Sequence, residues 1–484
     1  MQTTYVVIFV LYCGVSLAIG LWANRKTSSM EQYLVADRDL GVLPTSMAYY
    51  STAQSSSAFL GSVGWAYAEG WVSNSYTSIP IAFGALLAWC LLAKRVHTLV
   101  GETKALTIPD LLAFRFPSGF VRLASLLIII IAYIPAMVAQ IKGCGILVQS
   151  VFPNIDFKYA ALVGLSIVCI YVMLGGMKAV AYTDVVQGFL MIGSVIVLVV
   201  ASLAAVGGFT QMNLQAEAIA PGMTGVMGVD NIWGPGYSLS FALLFLLSPL
   251  GQPSYISKFF AMKSKKVARY AMPLSYTMVF IASLSFPIIG LCARVLYPNL
   301  SNPDSAFTVM ATGVLPPVVG AVVLVALFAA VMSTMDAMFL NITGAVVRDF
   351  YEQFLKKTPS QKFLLRASVI TTLSTAVVAY LLTLRTTGAI AMIGSMSTGL
   401  LGASFSVVVV GGLYSKKMTT QAAIAAILAG FFGTVLTTKG IVLDHLLFGM
   451  NAFIYGFICS IIAAVVVTKL TNKDNTDQTK QLNK

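Results

Sequence analysis

The chain has 484 residues, 58% of them hydrophobic and only 10% charged, with 30 basic against 17 acidic side chains and a formal net charge of +13. So little charge in so much apolar sequence excludes an ordinary soluble enzyme or nucleic-acid-binding domain and points to a chain that sits in a lipid bilayer. Thirteen apolar runs are long enough to cross one, at about 5–23, 41–66, 75–93, 121–147, 159–175, 180–205, 237–257, 271–296, 311–345, 367–384, 388–413, 420–438 and 447–468.

No charged residue precedes the first run, which reads as a retained helix and not as a cleaved signal. With the N-terminus outside, all but five of the 30 Lys and Arg fall on the cytoplasmic side. Lys158, Arg294, Arg385 and Lys439 fall outside, and Lys142 lies within a span. The clusters Lys94–Arg95, Lys258–Arg269, Arg348–Arg366 and Lys416–Lys417, together with the tail, read as topology anchors of a plasma-membrane protein with a cytoplasmic C-terminus. The expected organisation is one transmembrane domain over 1–470 and a disordered cytoplasmic tail over 471–484, rich in Asn, Gln, Thr and Lys.

The second run is unusually polar: "SMAYYSTAQSSSAFLGSVGWAYAEG" packs Ser51, Thr52, Gln54, Ser55, Ser56 and Ser57 ahead of Gly61 and Gly64. Such a stretch weakens a regular helix and offers oxygens in its place. The fourth run contains "AMVAQIKG", with Gln140 and the one intramembrane base, Lys142, which pairs with a substrate or snorkels to the outer surface. The sixth opens with "GGMKAVAYTDVVQG", placing Asp184 and Gln187 one helical turn apart near its cytoplasmic end. The seventh contains "LLSPLGQPSYISK", where Pro249, Gly251 and Pro253 forbid an uninterrupted helix.

Interrupted second and seventh spans begin two five-helix halves, about 41–205 and 237–413. An odd number of helices per half gives the halves opposite orientations, the signature of an inverted-repeat secondary transporter. The ninth run carries "AAVMSTMDAMFLN", with Ser333, Thr334, Asp336 and Asn341 at membrane depth. A carboxylate there costs roughly 2.5–3.5 kcal/mol on insertion scales, so its presence calls for a function.

The six cysteines form no CxxC pair, the two histidines lie far apart, and no HExxH or P-loop occurs, so an enzyme would lack its parts. No repeated pore-lining ring marks a channel.

"GGMKAVAYTDVVQG" resembles the signature of the sodium:solute symporter family, and "YLVADRDLG", "SSSAFLGSVGWAYAEGW", "GQPSYISKFFAM" and "LFAAVMSTMDA" look like further blocks of that family in the expected order. The resemblance implies a LeuT-type fold with one extra N-terminal helix and two at the C-terminus. It implies a monomer that couples Na⁺ to a small-molecule solute by alternating access. It places the main Na⁺ ligands at Ser51, Gln54, Ala330, Ser333 and Thr334. Some relatives have a second Na⁺ bound by the aspartate matching Asp184 and by serines whose places are taken here by Asp336 and Ala337.

The implied substrate pocket lies between the second and seventh spans, with candidates Ala53, Ser55, Ser57, Ala58, Gln140, Phe245, Pro249 and Gln252. Phe245 and Pro249 stand where proline symporters carry Trp and Tyr, while "AMVAQIKG" looks more like the pantothenate-type branch. Monocarboxylates or pantothenate-like acids therefore rank first, neutral amino acids such as proline second, and sugars after them.

Overall fold

The computed structural model describes residues 2–24, 27–152, 154–231, 233–386, 388–438 and 449–472. Lys439, His445 and nearly all of the expected disordered tail lie outside them. The described residues form helices, with one isolated backbone bridge between Leu40 and Met262.

The spans, in chain order, are α1 (Gln2–Asn24), the broken pair α2 (Val42–Ala53) and α3 (Val63–Glu69), α4 (Trp71–Thr103), α5 (Gly119–Val151), α6 (Phe157–Ile170), α7 (Gly176–Val206), the broken pair α8 (Pro235–Leu247) and α9 (Pro253–Phe260), α10 (Lys265–Leu296), α11 (Pro317–Phe354), α12 (Gln361–Thr383), α13 (Ile390–Tyr414), α14 (Thr420–Thr437) and α15 (Ala452–Thr471). Counting each broken pair once gives the thirteen expected spans. Eleven pass as long, apolar, membrane-crossing helices among the described residues; the broken second span and the short α6 are the other two.

Each break has a local cause. The helical path leaves α2 at Gln54 (φ −103, ψ 100), where four consecutive hydroxyl or amide residues, Gln54 to Ser57, compete for backbone hydrogen bonds. It resumes as a loosely wound segment, Ser57–Ser62, before α3. The seventh span breaks at Gly251 and Gln252, because Pro249 and Pro253 cannot donate to the preceding turn. Gly251 also lets α13 approach: a Cβ there would lie 2.5 Å from the Ser406 amide nitrogen. Spans five and six are continuous except at Gly176, whose φ of 58 and ψ of −163 suit only glycine, and a Cβ there would meet the Tyr33 ring at 2.7 Å. The ninth span starts later than its apolar run because Pro316 and Pro317 separate α11 from the short helix Ala306–Gly313.

α11 is buried along most of its length, whereas α12 and α15 turn large apolar side chains such as Ile370, Leu381 and Val465 outward, as lipid-facing helices do. The cysteines follow their helices: Cys144, Cys169 and Cys292 are core residues, but Cys90 and Cys459 face the exterior and are not core packing.

Candidate functional site

The two breaks border one cavity, flanked by α5, α11 and α13. The unwound segment is held by α5, since the Ser56 amide donates to Gln140 Oε1 (3.0 Å) and Ser56 Oγ to the Ala139 carbonyl (3.1 Å). Gln140 therefore secures the break while its edge also lines the adjoining cavity. The start of α9 is held in the same way, the Ser254 amide donating to the Tyr133 hydroxyl at 2.9 Å.

Beside the first break, α11 presents its oxygens. Ser333 Oγ lies 3.0 Å from the Ser51 carbonyl and 3.1 Å from the Ala330 carbonyl, and all three residues are fully buried. Thr334 Oγ1 is buried with no hydrogen-bond partner, and Thr334 and Gln54 both border the cavity. An unpartnered hydroxyl on the residue after Ser333, whose own hydroxyl meets two carbonyls, makes an oxygen-only set that suits a hard cation better than a transition metal. Of the five residues expected to ligate Na⁺, Ser51, Ala330 and Ser333 meet directly, while Gln54 and Thr334 border the adjoining cavity.

Asp184 lies next to them but not as a free carboxylate. Its Oδ1 accepts from Ser51 Oγ at 2.7 Å, and its Oδ2 lies 3.3 Å from the Lys258 ammonium, with both charged side chains essentially inaccessible. Lys258 is thus no surface topology anchor. It sits in the last turn of α9, where the basic run that follows it in sequence had concealed it. Asp336 is fully buried on α11, within electrostatic reach of Tyr12, Tyr33 and Cys169. Gln187, on the neighbouring turn of α7, donates to the Tyr12 hydroxyl at 3.0 Å.

The cavity between the breaks is lined by Ala53, Ser55, Ser57, Ala58, Gln140, Phe245 and Gln252 from the expected set. Trp65, Tyr133, Ser254, Phe286 and Ser397 complete much of its wall; Trp65 and Ser254 lie within the family blocks without standing out there, while Tyr133, Phe286 and Ser397 sit in distant spans with no motif around them. Pro249 does not belong to the wall. It packs toward α4, where a Cβ on Gly84 would lie 3.0 Å from its ring, because the turn Ser248–Leu250 rotates it away. Lys142 also lies off the wall and donates to the Gly388 carbonyl at 2.6 Å, so it is not positioned to meet a solute carboxylate. Among the described lining residues, none carries a charge.

Aromatic layers bound the cavity. Toward the basic face, Tyr49 stacks within 5.0–5.7 Å of Trp89, Tyr255 and Phe259. Toward the opposite face, Trp65 meets Trp233 and Phe241 at 6.0 and 5.7 Å. Below the first layer, the Leu40 amide donates to the Ala261 carbonyl and the Lys263 amide to the Leu40 carbonyl, both at 3.0 Å, tying the start of α2 to the end of α9.

The sequence is 29% identical over 452 residues to a sodium/pantothenate symporter of Haemophilus influenzae, covering 91% of this chain and 92% of that protein. It is 27% identical to the osmoregulated proline transporter OpuE of Bacillus subtilis, over 96% of this chain and 94% of that one. Among solved structures, the fold matches that of a Na⁺-coupled sialic acid symporter in a substrate-bound outward-open state, with a TM-score of 0.80 at 18% identity over 96% of this chain and 98% of that one. It matches less closely the closed, bromovinylhydantoin-bound Mhp1, a nucleobase-cation-symport-1 family transporter (TM-score 0.56, 15% identity, covering 92% and 98%). The family model for the sodium:solute symporters spans residues 33–430, and the chain belongs to the sodium:solute symporter family, Na⁺-coupled secondary transporters and not enzymes.

Proposed function

We propose that the protein, a monomer in the plasma membrane with its basic face toward the cytoplasm, carries a small monocarboxylate or pantothenate-like acid into the cell together with Na⁺. The reading places Na⁺ among Ser51, Gln54, Ala330, Ser333 and Thr334, with the solute beside it in the uncharged cavity. The single observation that carries it is the Thr334 hydroxyl, buried without a partner where the oxygen cage and the cavity meet. An ion bound there would form part of the solute's own site. The solute class follows from charge balance: an uncharged wall cannot neutralise a carboxylate, but a neighbouring Na⁺ can. A monoanion and one Na⁺ are together neutral, whereas a zwitterion such as proline with Na⁺ leaves one positive charge in a dry site, which ranks it second. A hexose would find hydroxyls and three amides, but no carboxylate to grip its ring.

The test is a thermal-shift screen of carboxylates, amino acids and hexoses in Na⁺ and in choline, since a bound ligand stabilises the fold by mass action. Carboxylates should raise the melting temperature more in Na⁺ than in choline. Hexoses giving that signature while no carboxylate does would overturn the solute ranking.

A further inference from the structure

Between the seventh-span break and the end of α9, one side chain is charged, Lys258, and it is fully buried. Its ammonium reaches Asp184 Oδ2, while Ser51 Oγ takes Oδ1. Ser51 also turns its carbonyl into the oxygen cage, toward Ser333. A single residue therefore joins the acid to the cage: its hydroxyl serves Asp184 and its carbonyl the cation site. A buried carboxylate this close to a hard-cation cage, with no compensating charge, would itself draw in a cation. In this chain both of its oxygens are already engaged.

We propose that Lys258 is the built-in cation of this acid. Its ammonium stands where a second Na⁺ would sit on Asp184, so each chain binds and carries one Na⁺. The inference rests on the assignment of the single cage above and extends it to stoichiometry. It also assigns Lys258 a positioning role, because α2, α7 and α9 converge on one carboxylate through Ser51, Asp184 and Lys258.

Equilibrium binding of ²²Na⁺ to the purified full chain, alongside thermal melts titrated with Na⁺ against choline, tests the proposal. The wild type should bind one Na⁺ per chain with a Hill coefficient near 1, and Lys258→Arg should do the same. Lys258→Met should be strongly stabilised by Na⁺ and bind a second ion, and Lys258→Met combined with Asp184→Asn should return to one. Two ions on the wild type would overturn the proposal, as would a folded Lys258→Met protein that binds only one. A Lys258→Met protein that stays unfolded in saturating Na⁺ would also overturn it, since Na⁺ would then be no substitute for the ammonium. Failure of the cage assignment looks different: Ser333→Ala would leave the affinity of the wild-type ion unchanged, whatever Lys258→Met does.

Discussion

Ser333 and Thr334 illustrate how two adjacent hydroxyls on one helix divide their work. The first spans two carbonyls, Ser51 and Ala330, and the second points unpartnered to the cavity edge. Removing either should weaken Na⁺ binding without removing the cavity. Ser333→Ala or Thr334→Ala should raise the Na⁺ concentration for half-maximal uptake about tenfold, the equivalent of about 1.4 kcal/mol, with a much smaller change in maximal rate at saturating Na⁺. Unchanged Na⁺ dependence in both variants would refute the ligand assignment. Asp184→Asn should act differently, by leaving the Lys258 ammonium buried without its counter-charge. Breaking one side of such a pair costs about 3–5 kcal/mol, so the melting temperature should fall, and adding Lys258→Met should recover most of the loss. A melting point indifferent to Asp184→Asn would mean that the pair is not a structural tie. The hydroxyls of α11 were legible in the sequence because oxygen-bearing residues are rare in an apolar span and follow helical spacing. Lys258 was not, because a lysine leading a basic run looks like an anchor until the fold turns that residue inward.

The broken helices were legible for a physical reason: proline removes a donor wherever it stands, and clustered hydroxyls offer the backbone other partners. What could not be read was the direction in which each break turns its side chains. Pro249 was expected in the pocket and instead faces Gly84, while Gln140 supports the break as well as lining the cavity. Close packing at the breaks also escapes a linear reading, because the contacts come from the other half of the chain. Gly251 shows the consequence. With 2.5 Å to the Ser406 amide nitrogen, a methyl group must push α13 away from the seventh-span break. Gly251→Ala should cut maximal uptake at least tenfold while the protein still inserts, and wild-type uptake by this variant would show that α13 and the break need not touch.

Two inverted halves place their interrupted helices around one cavity, so segments of both broken spans bound each of its ends. The backbone bridge from Leu40 to Ala261 and Lys263 joins those elements on the basic face. In a background freed of native cysteines, a disulfide between Leu40→Cys and Met262→Cys should stop transport, and a reductant should restore it. Undiminished uptake by the oxidised pair would exclude this face as a moving gate.

The central claim is that one Na⁺, held by the α2–α11 cage, drives a monocarboxylate through an uncharged cavity. Its most direct measurement is uptake into proteoliposomes of ²²Na⁺ and labelled solutes, with pantothenate and proline side by side, under an inward Na⁺ gradient at zero membrane potential. The account predicts uphill accumulation of a carboxylate with one ²²Na⁺ entering per solute, no current, and loss of accumulation at low Na⁺ in Ser333→Ala with recovery at high Na⁺. Accumulation that needs a membrane potential, or that carries two Na⁺ per carboxylate, would contradict it.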